Sequence, residues 1–287
     1  MITPLNSETF DPTRITKIQH SYHDHPFFQL DALEGLAQRL YSKEKCRFCS
    51  SKTQVDSPFD HQPAPLDGRT LEDVFRRIDE PGSWIALYDV QLDKLYRELL
   101  IEVQEEMEAL VHPIQTIHDV RAFIFISSAP SVTPFHIDRE NNFWLQIRGH
   151  KKLTVWDHRD RKAVSAADVE RFLLFGDLHN VKLSDNTRAS GNSYDCRAGD
   201  GVYFPMTSPH MTESDPAWMD GEPVTISVGM VFYTDITSRN TRVNMMNYQL
   251  RSLGIEPSPP GQSQLRDRVK AIVGRSIWQL MKPFRKS

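Results

Sequence analysis

Cysteine is almost missing from this chain. Three thiols in 287 residues, Cys46, Cys49 and Cys196, argue against a disulfide framework and point to a cytoplasmic protein. Cys46-Arg47-Phe48-Cys49 is a lone CxxC, whereas a structural zinc site needs a second pair of ligands. His20, His23, His25 and His61 stand at no spacing that would supply one. We read the two cysteines as free thiols on or near a strand, with redox chemistry as the lesser alternative. No run of about 18 apolar residues is present, so no membrane span is expected. An excess of one charge is also lacking. With 34 basic and 38 acidic residues the net charge is -4, without the basic footprint of a nucleic-acid binder. Met1-Ile2-Thr3-Pro4 opens a polar stretch with neither a charged n-region nor an apolar h-region, so no secretory signal is expected. No 20–50-residue period recurs.

What is present falls into three stretches. Residues 1–80 read as an extended and helical lead-in. Leu33, Leu36, Ala37 and Leu40 have the spacing of an amphipathic helix, and 59–68 is a Pro-rich loop. Thr70, with Asp73 three residues on, reads as the cap of a helix that Pro81-Gly82 ends. Trp84 to Tyr88 is strand-like, and Leu92 to Val111 is a long helix. Short strands then follow one another at 122–127, 133–138, 143–148, 152–156, 201–205 and 224–232. They are interrupted by a helix at 166–175 and a polar loop at 177–192. Residues 81–235 therefore read as a mainly β domain, a sandwich or barrel with flanking helices. Residues 236–287 return to helix, at 244–253 and 265–284. The last segment sets Val269, Ile272, Val273, Leu280 and Phe284 against a basic face. A basic amphipathic helix suits an anionic membrane or nucleic acid; the reading preferred here packs its apolar stripe on the barrel or on a second subunit.

The chemistry-bearing feature is His136-Ile137-Asp138, with His210 following a short apolar strand. Alternate residues of a strand point to one side, so His136 and Asp138 can converge on one ion while Ile137 turns away. Two imidazoles and one carboxylate on one face of a six-coordinate metal leave the other face open. That set favours non-haem Fe(II) over structural zinc.

The surrounding residues resemble the cupin-like JmjC branch of the Fe(II)/2-oxoglutarate oxygenases, and within it the asparaginyl hydroxylases. The likeness rests on Thr133-Pro134-Phe135-His136-Ile137-Asp138, Asn142-Phe143, Gln146-Ile147-Arg148-Gly149 and Lys151. A second block, Gly199-Asp200, Tyr203-Phe204-Pro205 and His210, follows in the same order; together they span about residues 80–235. The resemblance implies a double-stranded β-helix (jelly-roll) core. It implies Fe(II) on His136, Asp138 and His210, with 2-oxoglutarate and O2 as co-substrates. Lys151 and Thr133 would meet the distal carboxylate of 2-oxoglutarate, an ammonium–carboxylate pair being among the stronger polar contacts. Asn142 would lie near its chelating end. The expected reaction is hydroxylation of a C–H bond, on a peptide or protein side chain or on a small biosynthetic molecule. A non-catalytic metal-binding cupin module is the alternative of another class. Arg139, Glu140 and Trp144 are candidates for the rim, and His150, His158 and His179 are read as surface residues. A homodimer through the C-terminal helices is also implied.

Two positions depart from the asparaginyl hydroxylases. Gly229 and Val231 stand where those have asparagine and tryptophan. The strand at 121–128 carries Phe123 and Phe125 but not the tyrosine that some relatives use on the carboxylate, so Thr133 or Ser127 is expected to complete that pocket.

Overall fold

The computed structural model describes residues 1–281 apart from 6–9, 50–52, 59–60, 66–67, 82 and 113. Gly82, parts of the 59–68 loop, and the end of the basic helix with Phe284, Lys282, Arg285 and Lys286 lie outside the described residues. The strands are β1 (Ile2–Pro4), β2 (Thr16–His20), β3 (Cys46–Phe48), β4 (Trp84–Leu87), β5 (Ile117–Ser128), β6 (Ser131–His136), β7 (Asn141–Arg148), β8 (Lys151–Val155), β9 (Asn192–Cys196), β10 (Asp200–Phe204), β11 (His210–Ser214) and β12 (Val224–Thr234). The helices are α1 (Leu30–Tyr41), α2 (Leu71–Arg76), α3 (Lys94–Val111), α4 (Ala166–Phe175), α5 (Asp185–Arg188), α6 (Asp235–Ser252) and α7 (Gln264–Met281).

Two antiparallel sheets carry the site. The larger runs β1-β2-β10-β7-β12-β5-β4-β3 and the smaller β6-β11-β8-β9. From β5 onward the chain repeatedly crosses between them, placing β5, β7, β10 and β12 in one sheet and β6, β8, β9 and β11 in the other. The result resembles a jelly-roll core.

Period-2 alternation sorts the side chains of the large sheet. Phe143, Leu145 and Ile147 of β7, with Ile226, Val228, Met230 and Phe232 of β12, join the main core beneath the N-terminal helices. Trp144 points the other way and, with Leu153, Val155, Cys196, Val202 and Phe204, fills one part of the space between the sheets. β7 is buried on both faces, so its apolar residues Phe143, Trp144 and Leu145 follow one another without alternation.

Several expectations are corrected. Asn192–Cys196 and His210–Ser214 are strands that the sequence reading missed, the first being mostly polar and at the edge of the small sheet. The polar 177–192 segment contains the short α5. α6 begins at Asp235, not at 244, because Thr234 and Thr237 form a capping box; its first half lacks an apolar stripe to signal it. The stripe of α7 does not pack on the β core, since Leu265, Val269, Ile272 and Val273 are exposed. His150 is buried rather than on the surface: its ring lies against Trp218 and its Nδ1 donates to the Trp218 carbonyl at 3.1 Å. His158 is half-buried and His179 exposed. Cys46 is buried in β3, and both thiols of the CxxC are free of disulfide.

Candidate metal centre

β6 ends at His136, so the strand pleat does not align His136 with Asp138 as the sequence reading supposed. The turn after β6 does it instead. Ile137 is buried in a cluster with Phe135, Trp156 and Phe172, which anchors the turn and leaves its neighbours to face the space between the sheets. The Thr207 amide donates to the Asp138 carbonyl at 2.9 Å, and the Met206 amide to Asn141 Oδ1 at 2.9 Å. These bonds tie the turn to the segment that enters β11. At the start of β11, His210 pairs with His136 across the small sheet.

Ligand atoms of His136, Asp138 and His210 consequently lie within 4.8 Å of one another. His136 Nε2 is 3.9 Å from Asp138 Oδ1, and His210 Nε2 is 3.5 Å from Asp138 Oδ2. The imidazole centroids are 4.0 Å apart. His136 Nδ1 sits 2.7 Å from the Pro134 carbonyl and His210 Nδ1 3.0 Å from the Ser208 carbonyl. A carbonyl only accepts, so each Nδ1 carries the proton and each Nε2 presents its lone pair. Such orientation of ligating imidazoles is how outer partners tune metal sites. Burial, and then the neighbouring His136, push His210 down to about 4, which keeps it neutral and able to ligate at neutral pH. Together the residues form a 2-His-1-carboxylate set suited to Fe(II).

The set borders a cavity of about 280 Å³ between the two sheets. The large sheet contributes Phe123, Phe125, Asn142, Trp144 and Ser227; the small sheet contributes Thr133, Lys151 and Thr212. Lys151 is 2% exposed, and no hydrogen bond or ion pair reaches its ammonium among the described residues. Burial alone pushes it from 10.5 down to about 8. Three further buried polar atoms, Asn142 Oδ1, Thr212 Oγ1 and Ser227 Oγ, have no partner among the described residues. Buried polar groups are nearly always satisfied, so an ammonium and two hydroxyl donors converging in one cavity mark the place of an absent acceptor. A dicarboxylate fits that donor set.

All six site residues named from sequence line this cavity. Ser127 does not: its hydroxyl is engaged with Ser131 Oγ at 2.9 Å and Thr225 Oγ1 at 3.0 Å. Sequence reasoning missed Thr212, Ser227 and Tyr88. Thr212 lies two residues beyond His210 on β11, and Ser227 two before Gly229 on β12, so period-2 reasoning from those positions could have found both. Tyr88 lies just beyond β4, its ring 4.9 Å from Phe123 and its hydroxyl 2.9 Å from His61 Nδ1; no local signal announced it. Arg139, Glu140 and Trp144 also line the cavity. Arg139 lies over the Phe172 ring at 5.1 Å. Glu140 is held by Arg121 and accepts from Tyr233 Oη at 3.0 Å. At Gly229 an added Cβ would come within 3.4 Å of the Asn142 side chain, so the missing side chain leaves room for that amide.

No family model matches the sequence, and no curated protein matches it significantly. Among solved structures, the Escherichia coli ribosomal oxygenase YcfD is similar at 15% identity and a TM-score of 0.47, over 92% of this chain and 63% of that one. YcfD in complex with cobalt and 2-oxoglutarate gives 16%, 0.46, 92% and 63%. The DMSP lyase DddQ from Ruegeria pomeroyi DSS-3 gives 12%, 0.25, 40% and 38%. The chain thus spans less than two thirds of the YcfD structures it matches.

Proposed function

We propose that this protein is an Fe(II)- and 2-oxoglutarate-dependent oxygenase of the cupin-like JmjC type that hydroxylates a C–H bond. The observation that carries the reading is a pairing within one cavity: a 2-His-1-carboxylate set stands beside a buried ammonium that has no counter-ion among the described residues. His136, Asp138 and His210 would hold Fe(II) on one face. Lys151, with Thr133, Thr212 and Ser227, would hold the distal carboxylate of 2-oxoglutarate by charge-assisted hydrogen bonds. Asn142 would border its chelating end. Phe123, Phe125 and Trp144 exclude water from the pocket, which strengthens those bonds. Bound there, Fe(II) supplies the redox chemistry that couples decarboxylation of 2-oxoglutarate by O2, giving succinate and CO2, to conversion of a substrate C–H into C–OH. The protein's own task is to orient the co-substrate and present the target carbon.

A space of about 280 Å³ is at the small end of ligand sites. It suits a five-carbon diacid and one protruding group, which favours a peptide or protein side chain over a bulky metabolite. With Gly229 and Val231 at the two departing positions, nothing singles out asparagine as the target. We extend the reading to a homodimer through the exposed apolar stripe of α7, Leu265, Val269 and Ile272.

Anaerobic addition of Fe(II) and 2-oxoglutarate tests the reading. A weak visible charge-transfer band is expected with the native chain and none with His136→Ala. A native chain without the band would refute it.

A further inference from the structure

A second cavity of about 220 Å³ lies at one side of the metal cavity, and Arg139 lines both. Its walls come from three places. His118 and Asp119 open β5, Tyr233 closes β12, and Ser238, Thr241 and Arg242 share one face of α6 at i, i+3 and i+4. A β-bulge shapes the entrance: Tyr233 pairs with His118 and Val231 with Arg121, so Asp119 and Val120 together oppose Phe232. Asp119 accordingly adopts a left-handed φ of 53°. Bulges re-aim side chains, and this one lays the His118 ring parallel to Tyr233, centroids 6.1 Å apart.

The charges of this cavity are unbalanced. Neither Arg139 nor Arg242 forms an ion pair among the described residues; Arg139 donates only to the Phe172 carbonyl, and its Nε is buried without a partner. The one carboxylate in the lining, Asp119, sits largely exposed and 3.2 Å from His118 Nδ1. His118 Nε2 lies 3.2 Å from Ser238 Oγ. Glu140, behind Tyr233, is held by Arg121 and also lies within electrostatic reach of Arg139, without an ion pair to it. The α6 backbone at Arg242 packs closely on α7: at Gly274 an added Cβ would lie 2.0 Å from the Arg242 carbonyl, so the two helix backbones touch there.

We propose that this cavity is an anion subsite for the substrate. Arg139 and Arg242 hold a carboxylate of the molecule to be oxidised, while the rest of that molecule passes Arg139 to the metal cavity. The substrate class is therefore an acid, either a free small carboxylate or an acidic residue of a peptide. The proposal rests on the oxygenase reading for its role but not for the binding itself.

Calorimetry on the full chain, with matched acid and amide probes, tests it. The α-amide of N-acetylglutamate, with its single carboxylate, is expected to bind at least about ten-fold more tightly than the α-amide of N-acetylglutamine, which has none, the size of one charge-assisted hydrogen bond. Arg242→Gln should reduce that preference to within about two-fold, and Arg242→Lys should retain part of it. The capped peptide acetyl-Gly-Glu-Gly-amide distinguishes the two sources, matching or exceeding the free acid if the natural ligand is a peptide. Equal binding of acid and amide overturns the proposal. So does a preference that survives Arg242→Gln but disappears in Lys151→Met, which would place the anion beside the metal. An acid preference that is lost in Arg242→Gln, in a chain without the Fe(II)/2-oxoglutarate band, sustains the anion site and refutes the oxygenase reading alone.

Discussion

Consider a lysine whose ammonium is buried with no counter-ion among the described residues. Moving Lys151 from 10.5 to about 8 corresponds to a desolvation cost on the order of 3 kcal/mol, a large part of what a domain has to spare. Its sign follows from linkage. The folded state releases this proton near pH 8 and the unfolded state near 10.5, so the unfolded chain binds more protons in that window and stability rises with pH across it. Binding of an anion runs the other way, weakening as pH rises through about 8 and the ammonium is lost. Lys151→Met should therefore raise the Tm of the ligand-free protein, since an apolar side chain of similar length replaces a buried charge. It should also weaken 2-oxoglutarate binding by roughly ten- to a hundred-fold. Paired thermal melts and calorimetry check this, and a variant that melts lower while binding normally would show Lys151 to be structural. The histidines make a complementary case: backbone carbonyls of Pro134 and Ser208 set their tautomers, a device that no side-chain motif encodes.

Among the elements, the end of β12 and the start of α6 matter most, because they carry Tyr233 and Arg242 together. Thr234 is fully buried; it accepts from the Thr237 amide at 3.2 Å and donates to Gln115 Oε1 at 2.5 Å. Thr234→Ala removes a cap and leaves a buried acceptor unpaired, with an expected loss of about 1–2 kcal/mol. Urea unfolding should show a lower midpoint at unchanged slope. At this scale the sequence was uneven. α2 with its Thr70–Asp73 box, α3 and α4 were legible because cap and apolar stripe coincide. β9 was not, since an edge strand needs no apolar alternation. The opening turns of α6 were not, since a cap and a close backbone contact with α7 at Arg242, rather than a stripe, hold them. The turn that presents Asp138 was mistaken for strand because Thr133 to Asp138 alternates as a strand would, and only the neighbouring segment shows where pairing stops.

For the whole molecule, the exposed stripe of α7 sets an expectation for assembly. Sedimentation should give twice the mass of the chain, and Ile272→Glu, which places a charge within that apolar patch, should give the mass of one chain. A native chain that sediments at a single mass removes the dimer. The sequence by itself placed two histidines and an aspartate at spacings that suit a metal site on a β scaffold, in a chain nearly without cysteine, and its resemblance to a known family singled out Lys151. It also indicated β5 to β8, β10 and β12, because alternation and turn residues are local properties. Only the tertiary structure decided that His210 meets His136 across a sheet, that Ser227 and Thr212 rather than Ser127 complete the cavity, and that Arg139 borders two cavities at once. Those facts depend on strand pairing between residues far apart in the chain, and local patterning carries no information about which strands will be neighbours.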